Sequence, residues 1–382
     1  MSRIPKVILL IESSRASGRS VLRGVAKYAR HHGPWAFYWE PRGLETVWPR
    51  LKKLHADGII LRDVEKVSDV IRCGIPTIVF GHRKQAVPGV ANVMTDSPRI
   101  GTMAADHLLD CGFRHFAYCG FDGISWSDIR SHSFAKRVSA AGFQVSFFHQ
   151  RRRAVVRSGE GEEQFMAEWL RSLPKPLGLM ACNDDRGQHV IEACKLAGLR
   201  VPDEVAVIGA DNDELVCELS DPPMSSVAIN FERAGYESAE LLAKLMAGQR
   251  SVSKAITARV THVVARQSTN ILAIDDTHVA KALQFIRLHG REAIQVTDAV
   301  AASGISRRVL EKRFRKLLGR SVLSEIRRVR VAQICRLLVE THLSVSQIAD
   351  SLGYTSIEHI ARYFRSEMKM SPLVYRRQHG QK

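Results

Sequence analysis

Two segments near the end of the chain follow one plan. VTDAVAASGISRRVLEKRFRKLLG runs from Val296 to Gly319, and LSVSQIADSLGYTSIEHIARYFRSEM from Leu343 to Met368. Each has a short amphipathic helix, a turn containing glycine (Gly304, Gly353) and a second helix dense in basic and polar groups. This is the pattern of a helix-turn-helix, which lays its second helix in the major groove of DNA. Two copies joined by one helix can address two successive turns of groove from a single chain. The last hundred residues are therefore expected to be all-helical and to bind a double-stranded DNA operator in a sequence-specific way.

The pattern can be read residue by residue. Val279, Ala282, Leu283 and Ile286 share one face of a leading helix. Val309, Leu310, Phe314, Leu317 and Leu318 form the expected inward stripe of the first reading helix, and residues 322–339 the connecting helix. In the second unit Ile357, Ile360, Ala361 and Phe364 are expected to face inward. Ser344 with Gln347, and Thr355 with Glu358, match capping boxes. Charge agrees with the motifs. Of a net +17, residues 276–382 carry +11, from 20 Lys and Arg against 9 Asp and Glu. Such an excess neutralises phosphates and releases counterions.

The preceding ~270 residues alternate apolar strands with amphipathic helices. Strands are expected at Lys6–Ile11, Trp35–Trp39, Gly58–Leu61, Thr77–Phe80, Phe116–Cys119, Val145–Phe148, Leu177–Cys182 and Val205–Ile208. Alternation of this kind builds parallel sheets from strand–helix–strand units. Ten or more strands is long for one sheet, so two doubly wound α/β lobes with a cleft between them are expected. Ligands of open α/β sheets bind outside the carboxyl ends of strands. Ser13, Asp184 and Asp211 stand at such ends, as do Asp63 and His82. Asp184 and Asp211 could equally cap the helices that follow them.

Seven cysteines, without a C-x-x-C pair, fit a reducing cytoplasm better than a disulfide framework. The first apolar run, Val7 to Ile11, is too short for a signal peptide or membrane span. A secreted binding protein is therefore not expected. Walker, G-x-S-x-G, H-E-x-x-H and G-x-G-x-x-G signatures are all missing from the sequence. Neither catalytic residues, nor a metal site, nor a cofactor is expected. A cytoplasmic sugar-metabolising enzyme with a basic accessory domain is the alternative.

At the C-terminus, IADSLGYTSIEHIARYFRSEMKMSPLVYRR resembles the signature of the AraC/XylS family of bacterial transcription regulators. Ile348, Ala349, Gly353, Tyr354, Phe364, Pro372, Tyr375 and Arg376 stand where that pattern expects them. Ile334, where the family often has alanine, departs from it. The resemblance implies a bilobed helical domain at 278–382 with motifs near 296–317 and 344–367. It implies base contacts from Arg308, Glu311 and Lys312 in the first motif, and from Glu358, His359 and Arg362 in the second. Arg and Lys suit guanine, and Glu suits the amino group of cytosine. Arg307, Arg315 and Arg365 suit phosphates.

Residues 1–270 resemble the periplasmic-binding-protein-like core of the LacI/GalR repressors, without their N-terminal headpiece, and 271–277 would be the linker. RSHSF (Arg130–Phe134), ACNDD (Ala181–Asp185), VAVIGADND (Val205–Asp213) and PPMSSV (Pro222–Val227) carry the likeness. By it, Arg130 and Asp211 would hold sugar hydroxyls, Ser13, Asn183 and Asp184 would support them, and Trp126 would stack on the sugar ring. The combined architecture implies a homodimeric activator that answers to a pentose and works with RNA polymerase.

Overall fold

The computed structural model describes residues 3–40, 54–62, 67–81, 86–149, 160–249, 255–271, 273–274 and 276–380. Asp63 and His82 lie outside the described residues.

The first sheet contains β1 (Lys6–Leu10), β2 (Ala36–Trp39), β3 (Gly58–Arg62), β4 (Thr77–Phe80), β5 (Ala91–Thr95) and the late strand β11 (Ala255–Ala258). Their order is β2-β1-β3-β4-β5-β11, and every pairing is parallel. The strand period of two sends alternate β1 residues to opposite faces. Val7 and Leu9 enter one core with α1 (Ala16–His32) and α8 (Phe231–Met246). Ile8 and Leu10 enter another with α2 (Val67–Ile71). Burial on both faces is why β1 reads as an unbroken apolar run.

The second sheet contains β6 (His115–Cys119), β7 (Val145–Phe148), β8 (Leu177–Ala181), β9 (Val205–Asp211), β10 (Ser225–Ile229) and β12 (Val260–Val264). Its order is β7-β6-β8-β9-β10-β12. Helices α3 (Ser97–Asp110) and α4 (Ser125–Ser139) cover one face, and α5 (Glu160–Ser172), α6 (Asp184–Ala197) and the short α7 (Glu214–Leu219) the other. One pairing at the edge is the exception to the parallel order: β12 pairs antiparallel with β10. Strands β5, β10, β11 and β12 carry short, partly polar patterns that sequence periodicity did not separate from loops.

Among the described residues, the chain crosses between the lobes at 95–97, 229–231 and 258–260. The crossings are bonded to one another: Asp96 N–H donates to Ala258 O at 3.0 Å, and Asn230 N–H to Arg259 O at 2.9 Å. Such short parallel connections form a hinge. All seven cysteines are free thiols, six of them buried.

The helical domain comprises α9 (Thr277–Leu288), α10 (Val296–Ser303), α11 (Arg307–Leu318), α12 (Val322–Glu340), α13 (Val345–Ser351), α14 (Ile357–Met368) and α15 (Pro372–His379). It has two cores. Helices α9, α10 and α11 close over the first half of α12, and α13, α14 and α15 over its second half. The turn after α10 needs a left-handed residue, and Gly304 supplies it at φ 70° without a side-chain penalty. Ile334 is fully buried in the second core.

Three details differ from the sequence reading. Val309 and Ile357 are exposed, at 39% and 46%, because each sits in the first turn of its helix, off the Leu310–Phe314 and Ile360–Phe364 stripes. The second reading helix begins one residue later than its pattern suggested. Its cap is Ser356, whose hydroxyl accepts from His359 N–H at 3.2 Å, not Thr355. The Ser344–Gln347 box is present, and a further box, Gln295 with Asp298, opens α10.

The two domains meet along a polar seam. Asp110, at the end of α3, accepts from Arg320 at 2.8 Å and Arg328 at 2.6 Å. Both arginines also donate to the buried carboxylate of Glu325. Just ahead of the linker Thr269 Oγ1 bonds His107 Nε2 at 2.8 Å, and within the linker Ala273 N–H donates to Cys111 O of the same lobe at 2.9 Å.

Candidate ligand cleft and DNA interface

Between the two sheets, at the carboxyl ends of their strands, lies a cavity of about 120 Å³. Sequence-predicted Trp126, Arg130, Asn183, Asp184 and Asp211 all line it; Ser13 does not. Arg15 and Ser17, just beyond Ser13, occupy that side instead.

Arg130 is the anchor. It projects from α4 and is only 2% exposed. Its guanidinium donates to Cys182 O and, at 3.2 Å, to Asp211 Oδ1. Burial raises the Asp211 carboxyl, and the Arg130 charge pulls it partly back. Asp211 itself sits at φ 99°, a backbone region that non-glycine residues rarely adopt, and such strain collects at ligand sites. The Arg130 guanidinium lies 4.7 Å from the centre of the Trp126 ring. One face of Trp126 is thus taken by a cation, which limits how a sugar could stack there.

Asn183 and Asp184 have local duties as well. Asn183 is the helix cap: its side-chain oxygen accepts from Arg186 N–H at 3.0 Å. Asp184 accepts from Ser226 Oγ at 2.6 Å and from Asp213 N–H at 2.7 Å. Burial, then the nearby Asp211 charge, push its carboxyl well above the usual range, against the pull of those two bonds. Asp184 therefore holds β10 and the loop after β9, and through them sets Asp213.

Asp213 reaches across the mouth of the cleft. Its Oδ2 accepts from Ala16 N–H at 2.7 Å, at the N-terminus of α1 in the other lobe. Beside it Arg15 grips Asp185 with two bonds, at 3.0 and 2.8 Å. A third arginine, Arg62 at the end of β3, lines the wall 3.3 Å from Ser17 Oγ. Phe80, Val93, Val216 and Phe231 supply apolar surface. The mix suits a small polyol: a few oriented donors and acceptors set among apolar walls.

Sequence reasoning missed Arg15, Arg62, Asp185, Asp213 and Phe231. Arg62 ends a strand and Asp213 lies two residues past Asp211, so the strand-end rule could have found both. Phe231 follows a hinge crossing and carries no local signal.

On the helical domain, Arg307, Arg308, Lys312 and Arg315 are exposed along α11, and Glu358, His359, Arg362 and Arg365 along α14. Glu311 is half-buried, with Oε2 3.9 Å from the Arg315 guanidinium. His359 Nδ1 bonds Thr355 Oγ1 at 3.2 Å. The described residues contain no cluster of metal-ligating side chains, and no described helix is long and apolar enough to cross a membrane.

Residues 105–269 match a periplasmic binding protein-like domain, and residues 299–378 a helix-turn-helix domain. The xylose operon regulatory protein of Escherichia coli K12 is 27% identical over 380 residues, covering 97% of this chain and 96% of that protein. The protein of the same name from Haemophilus influenzae is 29% identical over 380 residues, covering 97% and 98%. A solved structure described as the xylose-binding transcription activator xylR aligns over the full length of both chains, with a TM-score of 0.63 and 27% identity. The chain joins a periplasmic binding protein-like sensor domain to a helix-turn-helix domain of the AraC type, the make-up of a sugar-responsive DNA-binding transcription regulator. In this regulator the sheets build a sensor cleft, and the tandem helix-turn-helix units bind DNA.

Proposed function

We propose that the chain activates a pentose-utilisation operon and that its effector is D-xylose or a close pentose relative. The pair formed by buried Arg130 and half-buried Asp211 carries this reading. A fixed guanidinium beside a carboxylate offers planar donors and acceptors for adjacent hydroxyls, and the relatives spanning the whole chain are named for xylose. Asn183 and Asp184 act as supports, and Trp126 shapes the apolar side. Ser13 is better replaced in that role by Ser17 and Arg15, which border the cavity. Thermal-shift measurements across pentoses, hexoses and polyols test the assignment. D-xylose at 100 times its Kd should stabilise the protein by about 2.7 kcal/mol. Stabilisation by hexoses alone would refute the pentose assignment.

Residues 1–270 form the sensor, 271–277 the linker and 278–382 the DNA-binding domain in this reading. Arg308, Glu311, Lys312, Glu358, His359 and Arg362 contact bases; Arg307, Arg315 and Arg365 contact phosphates. Arg308→Ala should relax preference at one base position by about 1–3 kcal/mol, whereas Arg307→Ala should weaken all sequences about equally. Binding to a panel of single-base operator variants distinguishes the two, and equal losses on every sequence for both would end the division of roles. The regulator works in the cytoplasm as a homodimer and engages RNA polymerase. Six buried free thiols and a single exposed one suit a reducing compartment. Names of regulators, rather than of enzymes, attach to the relatives, which favours regulation over catalysis.

A further inference from the structure

The described hydrogen bonds and ion pairs between the helical domain and the sensor fall into two groups. One group joins the second lobe: Arg287, Arg320 and Arg328 to Asp110, Glu340 to His262 at 2.8 Å, and Tyr375 Oη to Thr261 O at 3.4 Å. The other joins the hinge and the first lobe, and it is made wholly at the last turn of α15. Asn230 Nδ2 donates to His379 O at 2.6 Å and to Gly380 O at 3.4 Å. Arg233, in the first turn of α8, donates to Arg377 O.

These acceptors are terminal carbonyls, which an α-helix cannot satisfy from within. The sensor completes them. Asn230 lies in a hinge crossing between β10 and α8, and α8 packs on the first sheet. Its side-chain oxygen simultaneously accepts from Arg233 N–H at 2.9 Å and so caps α8. Helix α15 therefore lies across the joint. Its Tyr375 is tied to the second lobe, and its last carbonyls to the first lobe and hinge. Its other side reaches the DNA-reading helix: the Tyr375 and Phe364 rings meet edge to face at 5.4 Å. Arg376 Nε also donates to Leu338 O of α12 at 3.1 Å. A relative movement of the lobes must strain or release one set of these contacts.

We propose that Asn230 and Arg233 are the coupling residues of this regulator, seating the last turn of α15 on the hinge so that lobe closure repositions the second reading helix. The assignment rests on the sugar-response reading above for the identity of the ligand, though not for the joint itself. Binding free energies are linked reciprocally, so DNA bound at α14 must also act back on the hinge.

Asn230→Asp separates the two duties of the side chain. A carboxylate still caps α8, but it cannot donate to His379 O. The full-length protein and this variant are compared by hydrogen exchange, with and without a DNA fragment that the wild type selects from a random library. D-xylose titrations by thermal shift and DNA-binding anisotropy run in parallel. In the wild type, DNA should slow exchange at the 228–233 amides, and D-xylose should change DNA affinity by about tenfold, within the usual range of coupling. The variant should bind D-xylose within about threefold of wild type, exchange faster at residues 376–380, and lose both the DNA-induced hinge protection and most of the tenfold ratio. Hinge exchange that ignores DNA in the wild type, or a variant that transmits as well as the wild type, overturns the proposal. If D-xylose gives no thermal shift while DNA still protects the hinge, the sugar reading fails and the coupling stands.

Discussion

Asp211→Ala should abolish the response to sugar while DNA binding persists. Asp211 is the carboxylate partner of Arg130, whose guanidinium is 2% exposed. Removing a charged acceptor that the sugar hydroxyls use costs about 1.5–3 kcal/mol of binding free energy. At 1.4 kcal/mol per tenfold, the affinity for D-xylose should fall roughly 10- to 150-fold. Arg130→Lys should be nearly as damaging. Lysine keeps the charge but loses the planar fork that reaches Cys182 O and Asp211 together. Titration calorimetry with D-xylose reads the loss, and anisotropy on the operator without sugar reads what remains. A response to sugar that survives in Asp211→Ala would place the effector elsewhere, since no second carboxylate bonds Arg130 among the described residues.

The reasons this cleft was partly legible are specific. Asp184 and Asp211 were identifiable because strand ends in a doubly wound sheet converge on one crevice, and β8 and β9 read cleanly as apolar runs. What sequence could not tell was how each carboxylate is employed. Asp184 spends its oxygens on Ser226 and Asp213, residues 42 and 29 positions away. Asp213 caps α1 from 197 positions away. The Asp184 contacts depend on how distant strands of one sheet are brought together, and the Asp213 contact on how the two lobes meet; local pattern carries no record of either. The reading helices were more legible. Their positions follow from a 3.6-residue period and from turn glycines, both local, and the errors there were local too: Val309 and Ile357 each missed the buried stripe by part of a turn. The missed strands β11 and β12 flank a hinge crossing, where short edge pairing leaves little apolar signal.

The domain seam should be the most acid-sensitive part of the molecule, and Glu325 its most costly residue to lose. Glu325 is fully buried and accepts from Arg320 at 2.6 Å and from Arg328 at 2.7 and 2.9 Å. Burial alone would raise its carboxyl, but hydrogen bonds and charge from Arg328 and Arg320 outweigh that and hold it at about 2. Glu325→Ala leaves two arginines facing each other with only Asp110 between them, and a broken buried pair costs about 3–5 kcal/mol. That is a large part of the stability of a small domain, so chemical denaturation should show the helical domain unfolding before the sensor. Acid acts on the same seam in two windows. His107, against Thr269 just ahead of the linker, is pushed down from 6.5 to about 3 by burial and then by the charges of Arg287 and Arg328. A base depressed in the folded state contributes stability above its unfolded value and loses it as pH falls toward the folded one. His107 should therefore weaken the seam from pH 6.5 downward. Glu325, depressed likewise, should add its loss only between about pH 4.5 and 2. In His107→Gln, whose amide can keep a bond to Thr269 but cannot titrate, the decline between pH 6.5 and 4.5 should flatten. Denaturation midpoints measured across that range decide it: an unchanged slope in the variant would mean that the proton is taken up elsewhere.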